Sequence, residues 1–410
     1  DARGEPVVCS VKIAASTVRF QAWRVNIGRV PVCLLDTNRP ENEPMYRDLT
    51  LRVYGGDSTT RIMQEILLGV GGVRLLRALG VQPSTFHMNE GHAAFLTLEL
   101  IREKMAAGKS FSDAGTETRK QCLFTTHTPV EAGHDRFSSD LMGYAGHPFT
   151  ADLQIGHEAL MNLGRVVADN ASEPFCMTVL ALKYSRAANG VSELHGAVSR
   201  EMWMDLYGAK HPDQVPIGHI TNGIHLVGWM KGTVRKVWQR KFRELYPAKS
   251  EVDWFADANS PEFWKQLADP KVVSDEEIWA MRYRLRRELV EFARRRLLLQ
   301  GGTFHHGDFI TFDSFLNPDA LTIGFARRFA TYKRAPLIFD QFEAVVKMVK
   351  DSGHPIQFVF AGKAHPRDDQ GKAFIQKVIH LSKFSELKGH LVFIENYDIH
   401  VRSEEHTSEL

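Results

Sequence analysis

The last third of the chain repeats one pattern, and that repetition limits the folds open to it. Apolar runs at Leu321 to Ala326, Gln357 to Ala361 and His390 to Ile394 alternate with helical patterns over Ala335 to Asp351 and Asp369 to Ser382. Helices between such runs return the chain so that successive strands run parallel. The expectation is a βαβαβ unit whose ligands sit outside the carboxyl ends of its strands.

The earlier sequence also alternates strand and helix. Residues 7–36 read as strands with a turn at Asn26-Ile27-Gly28-Arg29. From Thr60 to Leu79 the residues Ile62, Ile66, Leu67, Val70, Val73 and Leu76 recur at helical spacing. Gly69, Gly71 and Gly72 interrupt that pattern at ~1 kcal/mol each relative to Ala, which points to close packing against a neighbouring backbone. A strand-to-helix corner at His87 to His92 leads into an amphipathic helix through Phe95, Leu98, Leu100 and Ile101. Gln121 to Thr126 reads as a strand, Glu173 to Ala188 as helix, and the region after His225 as helical to about Gln300. The pattern predicts an α/β chain of two domains, 1–225 and 226–401.

Charge and cysteine usage exclude several classes. Lys plus Arg number 51 against 49 Asp plus Glu. A net charge of +2 gives no field to draw in nucleic acid or an anionic membrane, so neither is an expected partner. Cys9, Cys33, Cys122 and Cys176 lie far apart without paired spacing, as free thiols do in a reducing compartment, and no apolar run approaches the ~18 residues of a membrane span. A cytoplasmic setting is the expectation.

The strand ends of the last third carry the chemistry. The first runs into Arg327-Arg328-Phe329-Ala330-Thr331-Tyr332-Lys333-Arg334, with Pro336 placed for the first turn of the next helix. Two such cations ~6 Å apart repel by ~3 kcal/mol at an effective dielectric of ~20 and by under ~1 kcal/mol in water. A sunken cluster therefore needs an anion, and a phosphate-handling site is expected, a solvated basic loop being the alternative. The second strand ends in Gly362-Lys363-Ala364-His365-Pro366, where Gly permits close backbone approach and Lys adds a donor for phosphate; the third ends in the polar Glu395-Asn396-Tyr397-Asp398. No metal site is expected, because histidines five apart at His87 and His92 do not share a helix face. Gly69 to Arg74 lies inside a helical pattern rather than forming a dinucleotide loop.

The segments FHMNEGHAAF, FTTHTPVEAGHDRF, NGVSELHGAVSREMW, ITNGIHLVGWM, IGFARRFATYKRAPLIF, FVFAGKAHP and IENYD, in that order, resemble the alpha-glucan phosphorylases in their short bacterial and archaeal form. The resemblance implies two Rossmann-like, doubly wound domains facing a cleft (the GT-B glycosyltransferase arrangement), the second incomplete here. It implies phosphorolysis of alpha-1,4-glucan by inorganic phosphate to alpha-glucose 1-phosphate with retention, and pyridoxal 5'-phosphate as cofactor. By match to the family motifs, Arg328 and Lys333 grip substrate and cofactor phosphates and His195 contacts the glucosyl unit. Glu90 and His92 fall on the acceptor side, His127 and Asn222 lie in family motifs, and Arg327 and Lys363 join them as expected substrate-binding residues. Structural support of the corner is the alternative for Glu90, His92, His127 and Asn222.

The chain also departs from the family pattern. A Ser-Gly-Gly-Leu-Gly type segment is expected before Asp1, and the Gly-Thr-Ser-Gly-Met-Lys type segment that carries the Schiff-base lysine is expected after Asp398. Residues 402–410 read as the translation of a sequencing-library adapter. Residues 1–410 alone are accordingly expected to be inactive. Two other readings share much of the pattern: a nucleotide-sugar glucosyltransferase of glycogen synthase type, and a non-catalytic glucan-binding module. A homo-oligomer is left open.

Overall fold

The structure is a computed structural model that describes residues 5–52, 57–299, 315–351, 353–364 and 368–397. His365, Pro366, Asp398 and the tail 402–410 lie outside the described residues. The chain divides into two compact units, Asp1–Gly223 and Ile224–Leu410. Each is mixed α/β with a parallel sheet.

In the first unit, β1 (Val8–Ile13), β2 (Ser16–Ile27) and β3 (Val30–Asp36) form an antiparallel meander turned at Gly28, whose φ of 59° suits glycine. The inner half of the meander buries Val11, Ile13, Val18 and Phe20, while Trp23, Val25, Ile27, Val30 and Leu34 of the outer half are exposed. The Thr60 to Leu79 pattern is three helical pieces: α over Ser58–Ile66, π over Leu67–Gly71 and α over Gly72–Ala78. Its glycines divide by role. A Cβ at Gly69 would meet Leu96 N at 2.7 Å and one at Gly71 the Phe20 ring at 3.1 Å, whereas one at Gly72 would meet nothing within 4 Å. The next helix, Leu96–Ala106, is buried at every position from Leu96 to Ile101, so its first turns are enclosed rather than amphipathic.

Four parallel strands, β4 (Phe86–Asn89), β5 (Cys122–Thr125), β8 (Ala187–Gly190) and β9 (Ile217–His219), pair in that spatial order, and a small antiparallel pair joins β6 (Arg136–Phe137) to β7 (Phe175–Cys176). The helix expected over Glu173 to Ala188 is shorter, Met177–Lys183, and β8 takes its end. Ala-Ala-Asn-Gly has little β propensity, yet a narrow strand suits its place. A Cβ at Gly190 would meet Gly196 N at 2.8 Å, and Gly196 begins the close approach of helix Glu193–Met202.

The second unit opens with helices Leu226–Trp229, Gly232–Leu245, Glu251–Asp257, Pro261–Leu267 and Asp275–Leu299. Its sheet has β10 (Leu321–Ala326), β11 (Ile356–Ala361) and β12 (Leu391–Ile394), all parallel and paired in chain order. Alternate residues of β11 feed two cores: Phe358 and Phe360 join Phe329, Phe339 and Val378 on one side, and Val359 and Ala361 join Val290, Ala293 and Val392 on the other. Covering both faces explains why β11 is apolar apart from Gln357. One expectation is corrected. The element after the basic loop is not an α-helix from Ala335 but a 3-10 helix, Ala335–Gln341, and α-helix begins only at Phe342. Arg334 enters it in the left-handed region (φ 50°) and Pro336 supplies no N–H, so no regular α-helical N-terminus faces the loop. In both sheets the strand order runs one way among the described residues.

Candidate functional site

The carboxyl ends of β4, β5, β8 and β9 lie along one edge of the first unit's sheet, and they carry Glu90, His92, His127, His195 and Asn222. Backbone hydrogen bonds tie these ends together just beyond the strands. Glu90 N–H donates to Thr125 O (2.8 Å), Thr126 N–H to Asn189 O (3.0 Å), Ile220 N–H to Gly190 O (3.0 Å) and Asn222 N–H to Val191 O (3.1 Å).

Glu90 serves the corner itself. Its Oε2 accepts from His127 N–H and from the Thr128 hydroxyl, both at 2.8 Å. It does so from a backbone at φ 70°, ψ 172°, a region nearly confined to glycine and costing of order 1–3 kcal/mol for other residues. The side chains of His127 and Asn222 are exposed at this edge. His195 is buried, 8% exposed, on the helix capped by Ser192. Val191 N–H donates to its Nδ1 (3.2 Å), which puts the ring proton on Nε2. That Nε2 is buried without a hydrogen-bond partner, so a donor is held ready at this edge.

His92 belongs to a different cluster, with Arg61, Glu65 and Asp135. Asp135 Oδ2 lies 3.2 Å from His92 Nδ1 and 3.1 Å from Arg61 Nη2, and Arg61 Nε lies 2.9 Å from Glu65 Oε1. Glu65 is 1% exposed, and neither of its oxygens has a hydrogen bond of good geometry. Burial pushes its carboxyl up to about 8. For His92, burial would weaken the base, but the bonds to Asp135 and Glu65 prevail and raise it to about 9. Burial opposes ionisation of Asp135 too, yet the His92, Glu65 and Arg61 donors hold it well below the usual carboxylate range. His87 is not part of this group; its Nε2 pairs with Thr125 Oγ1 at 2.7 Å.

Sequence reasoning missed Arg61, Glu65 and Asp135. A signal was present in Glu65, an acidic residue set among Ile62, Met63 and Ile66 on the buried side of its helix. Nothing in the spacing of positions 61, 65, 92 and 135 links them.

In the second unit, Arg327, Arg328 and Lys333 follow β10 and Lys363 follows β11. The structure stitches these two loops together. Phe329 is fully buried, its N–H donates to Lys363 O (2.9 Å), and it bridges to Ala364. Gly362 makes the approach feasible, since a Cβ there would meet Arg327 O at 2.1 Å. Tyr397, after β12, donates to Ala326 O (3.0 Å), so this third strand end fixes the first. Arg327, Arg328 and Arg334 are exposed and Lys333 half-buried, so the cluster is not sunken and its self-repulsion is below ~1 kcal/mol. Repulsion alone therefore does not demand an anion. Lys372 and Lys377 pair with Asp369 and Asp340, while Arg327, Arg328, Lys333, Arg334 and Lys363 take no carboxylate among the described residues, and neither do other surface cations such as Lys347 and Lys383; what sets the five apart is their place at two joined strand ends.

The family described as Carbohydrate phosphorylase matches residues 76–405. The chain belongs to the carbohydrate phosphorylase family. It is 37% identical over 399 residues to the maltodextrin phosphorylase of Thermococcus litoralis, covering 97% of this chain and 45% of that protein. It is 39% identical over 413 residues to the glycogen phosphorylase of Mycobacterium tuberculosis, covering 97% of this chain and 46% of that protein. With the glycogen phosphorylase of Aquifex aeolicus it shares 34% identity over 407 residues, 97% of this chain and 56% of that protein. This phosphorylase-family chain thus spans about half the length of the relatives it matches. Among its described residues no helix is long and apolar enough to cross a membrane.

Proposed function

We propose that the chain carries the phosphate-handling and sugar-handling strand ends of an alpha-glucan phosphorylase. The observation that carries this reading is the set of cations, Arg327, Arg328, Lys333 and Lys363, without a carboxylate partner among the described residues and held at two adjoining strand ends by the Phe329 to Lys363 tie. Strand ends of a parallel sheet are where such folds place ligands, and arginine forks match phosphate oxygens. In the proposed reaction a phosphate oxygen bonds to the anomeric carbon as the glycosidic C–O bond breaks, and the proton passes to the departing glycosidic oxygen. Arg328 and Lys333 hold the phosphate, Arg327 and Lys363 add charge beside it, and Glu90, His92, His127, His195 and Asn222 orient the sugar. The doubly wound order, the facing of the two units across a cleft and a cytoplasmic setting belong to the same proposal.

The same strand ends fit the phosphate of pyridoxal 5'-phosphate, because they bring Arg327, Arg328, Lys333 and Lys363 to two joined loops with no carboxylate partner among the described residues. When bound, that group supplies a phosphate that relays a proton to inorganic phosphate. This chain's residues neutralise the two anions so that they tolerate one another.

The test is release of glucose 1-phosphate from maltodextrin and inorganic phosphate by protein carrying this segment, with Arg328→Ala in parallel. The account expects a loss of about 100-fold or more in kcat/KM in the variant, the scale of removing one charge-stabilising donor. Turnover of a nucleotide sugar without phosphate dependence would favour the glycogen synthase type reading instead. Glucan binding indifferent to phosphate would favour the binding module.

A further inference from the structure

We infer that Glu65, His92 and Asp135 share an acidic proton inside the first unit, clamped by Arg61, and that Glu65 thereby acts as a positioning residue for His92. The geometry around His92 Nδ1 requires such a proton. That nitrogen faces Asp135 Oδ2 at 3.2 Å, Glu65 Oε1 at 3.6 Å and the Arg61 Nη2 donor. Without a proton, Nδ1 accepts from Arg61 but turns its lone pair toward two carboxylate oxygens. With one, it serves a carboxylate but crowds the guanidinium. One further proton, placed on a carboxyl, removes the first conflict without creating the second.

Glu65 is where that proton is best kept. It is 1% exposed, neither oxygen has a hydrogen bond of good geometry, and an ionised carboxylate so placed costs several kcal/mol unless well paired. Arg61 also serves Asp135, and so compensates Glu65 only in part. Helix Ser58–Ile66 supplies Arg61 and Glu65, the turn after β4 supplies His92, and the segment entering β6 supplies Asp135 with His134 and Arg136 beside it. The titration shifts of Glu65 and His92, both upward, agree with a proton held between them. Three ligand atoms within 4.8 Å of one another would also suit a divalent ion. Arg61 already sets a fixed cation among them, which favours the proton.

The consequence is that His92 presents a defined protonation state and ring orientation at the edge of the sheet. Only its use toward a glucan rests on the proposed function; the shared proton does not. The test is a pH titration of histidine-labelled chain 1–410 by NMR, with the His92 signal assigned from His92→Gln. His92 is expected to titrate above the ordinary imidazole range. In Glu65→Gln, equal in size but unable to take the proton, its midpoint should fall by about one pH unit or more. Asp135→Asn gives the same readout with a larger fall if Glu65→Gln does not fold. An ordinary midpoint in the parent chain, an unmoved midpoint in a folded variant, or a stoichiometric divalent ion in the purified chain would each overturn the inference.

Discussion

Glu90 shows how a single residue can be held in strain by what it stitches together. Its left-handed backbone costs of order 1–3 kcal/mol, and the His127 and Thr128 donors on its carboxylate offset that cost. Glu90→Gln keeps the shape but loses the charge, so thermal unfolding should report a loss of about 1–2 kcal/mol; an unchanged transition would show that the carboxylate is not what holds the corner. The Glu65 and His92 pair gives a prediction in pH. Both bind protons more tightly folded than unfolded, so their stabilisation is full at low pH. It is lost as pH rises through about 8 and about 9. Melting curves of the parent chain should therefore fall from neutral to alkaline pH, and those of Glu65→Gln should fall less; parallel slopes would contradict the assignment. Glu65 left a signal in the sequence as an acid on an apolar helix face, but its link to Arg61, His92 and Asp135 was not legible, because their chemistry exists only once three distant segments meet.

Elements were legible where pattern and packing agree. The β10, β11 and β12 strands stand within a residue of their apolar runs, and for β11 and β12 burial on both faces explains the nearly uninterrupted signal. The β8 strand was not legible, because Ala187 to Gly190 is chosen for the narrow gap beside Gly196 rather than for strand propensity. The helix start at Ala335 was misread for a related reason: Pro336 marks a helical first turn but does not say which kind. Glycines within one helical stretch make a paired test. Gly69→Ala should destabilise by roughly 1–3 kcal/mol, since its Cβ would press on the Leu96 backbone at 2.7 Å. Gly72→Ala, with open space around it, should stabilise by about 0.5–1 kcal/mol. Denaturant midpoints of the two variants should move in opposite directions; movement in the same direction would show that the helix, not the packing, governs both.

At the scale of the whole molecule, each of the two α/β units offers a row of parallel strand ends, one lined with histidines, Glu90 and Asn222, the other with unpaired cations. The proposed function gives that division a chemical sense, a sugar on one row and phosphate on the other. The candidate residues were legible because motif and strand end coincide. What the sequence could not show is that the cations would be exposed rather than sunken, which moves the weight of the phosphate assignment from repulsion to their placement at two joined strand ends. The most direct measurement is calorimetric binding of inorganic phosphate to chain 1–410 and to Arg328→Ala. The account predicts saturable binding that weakens about tenfold or more in the variant, the loss of one charge-assisted contact. Equal affinity in both proteins would contradict it.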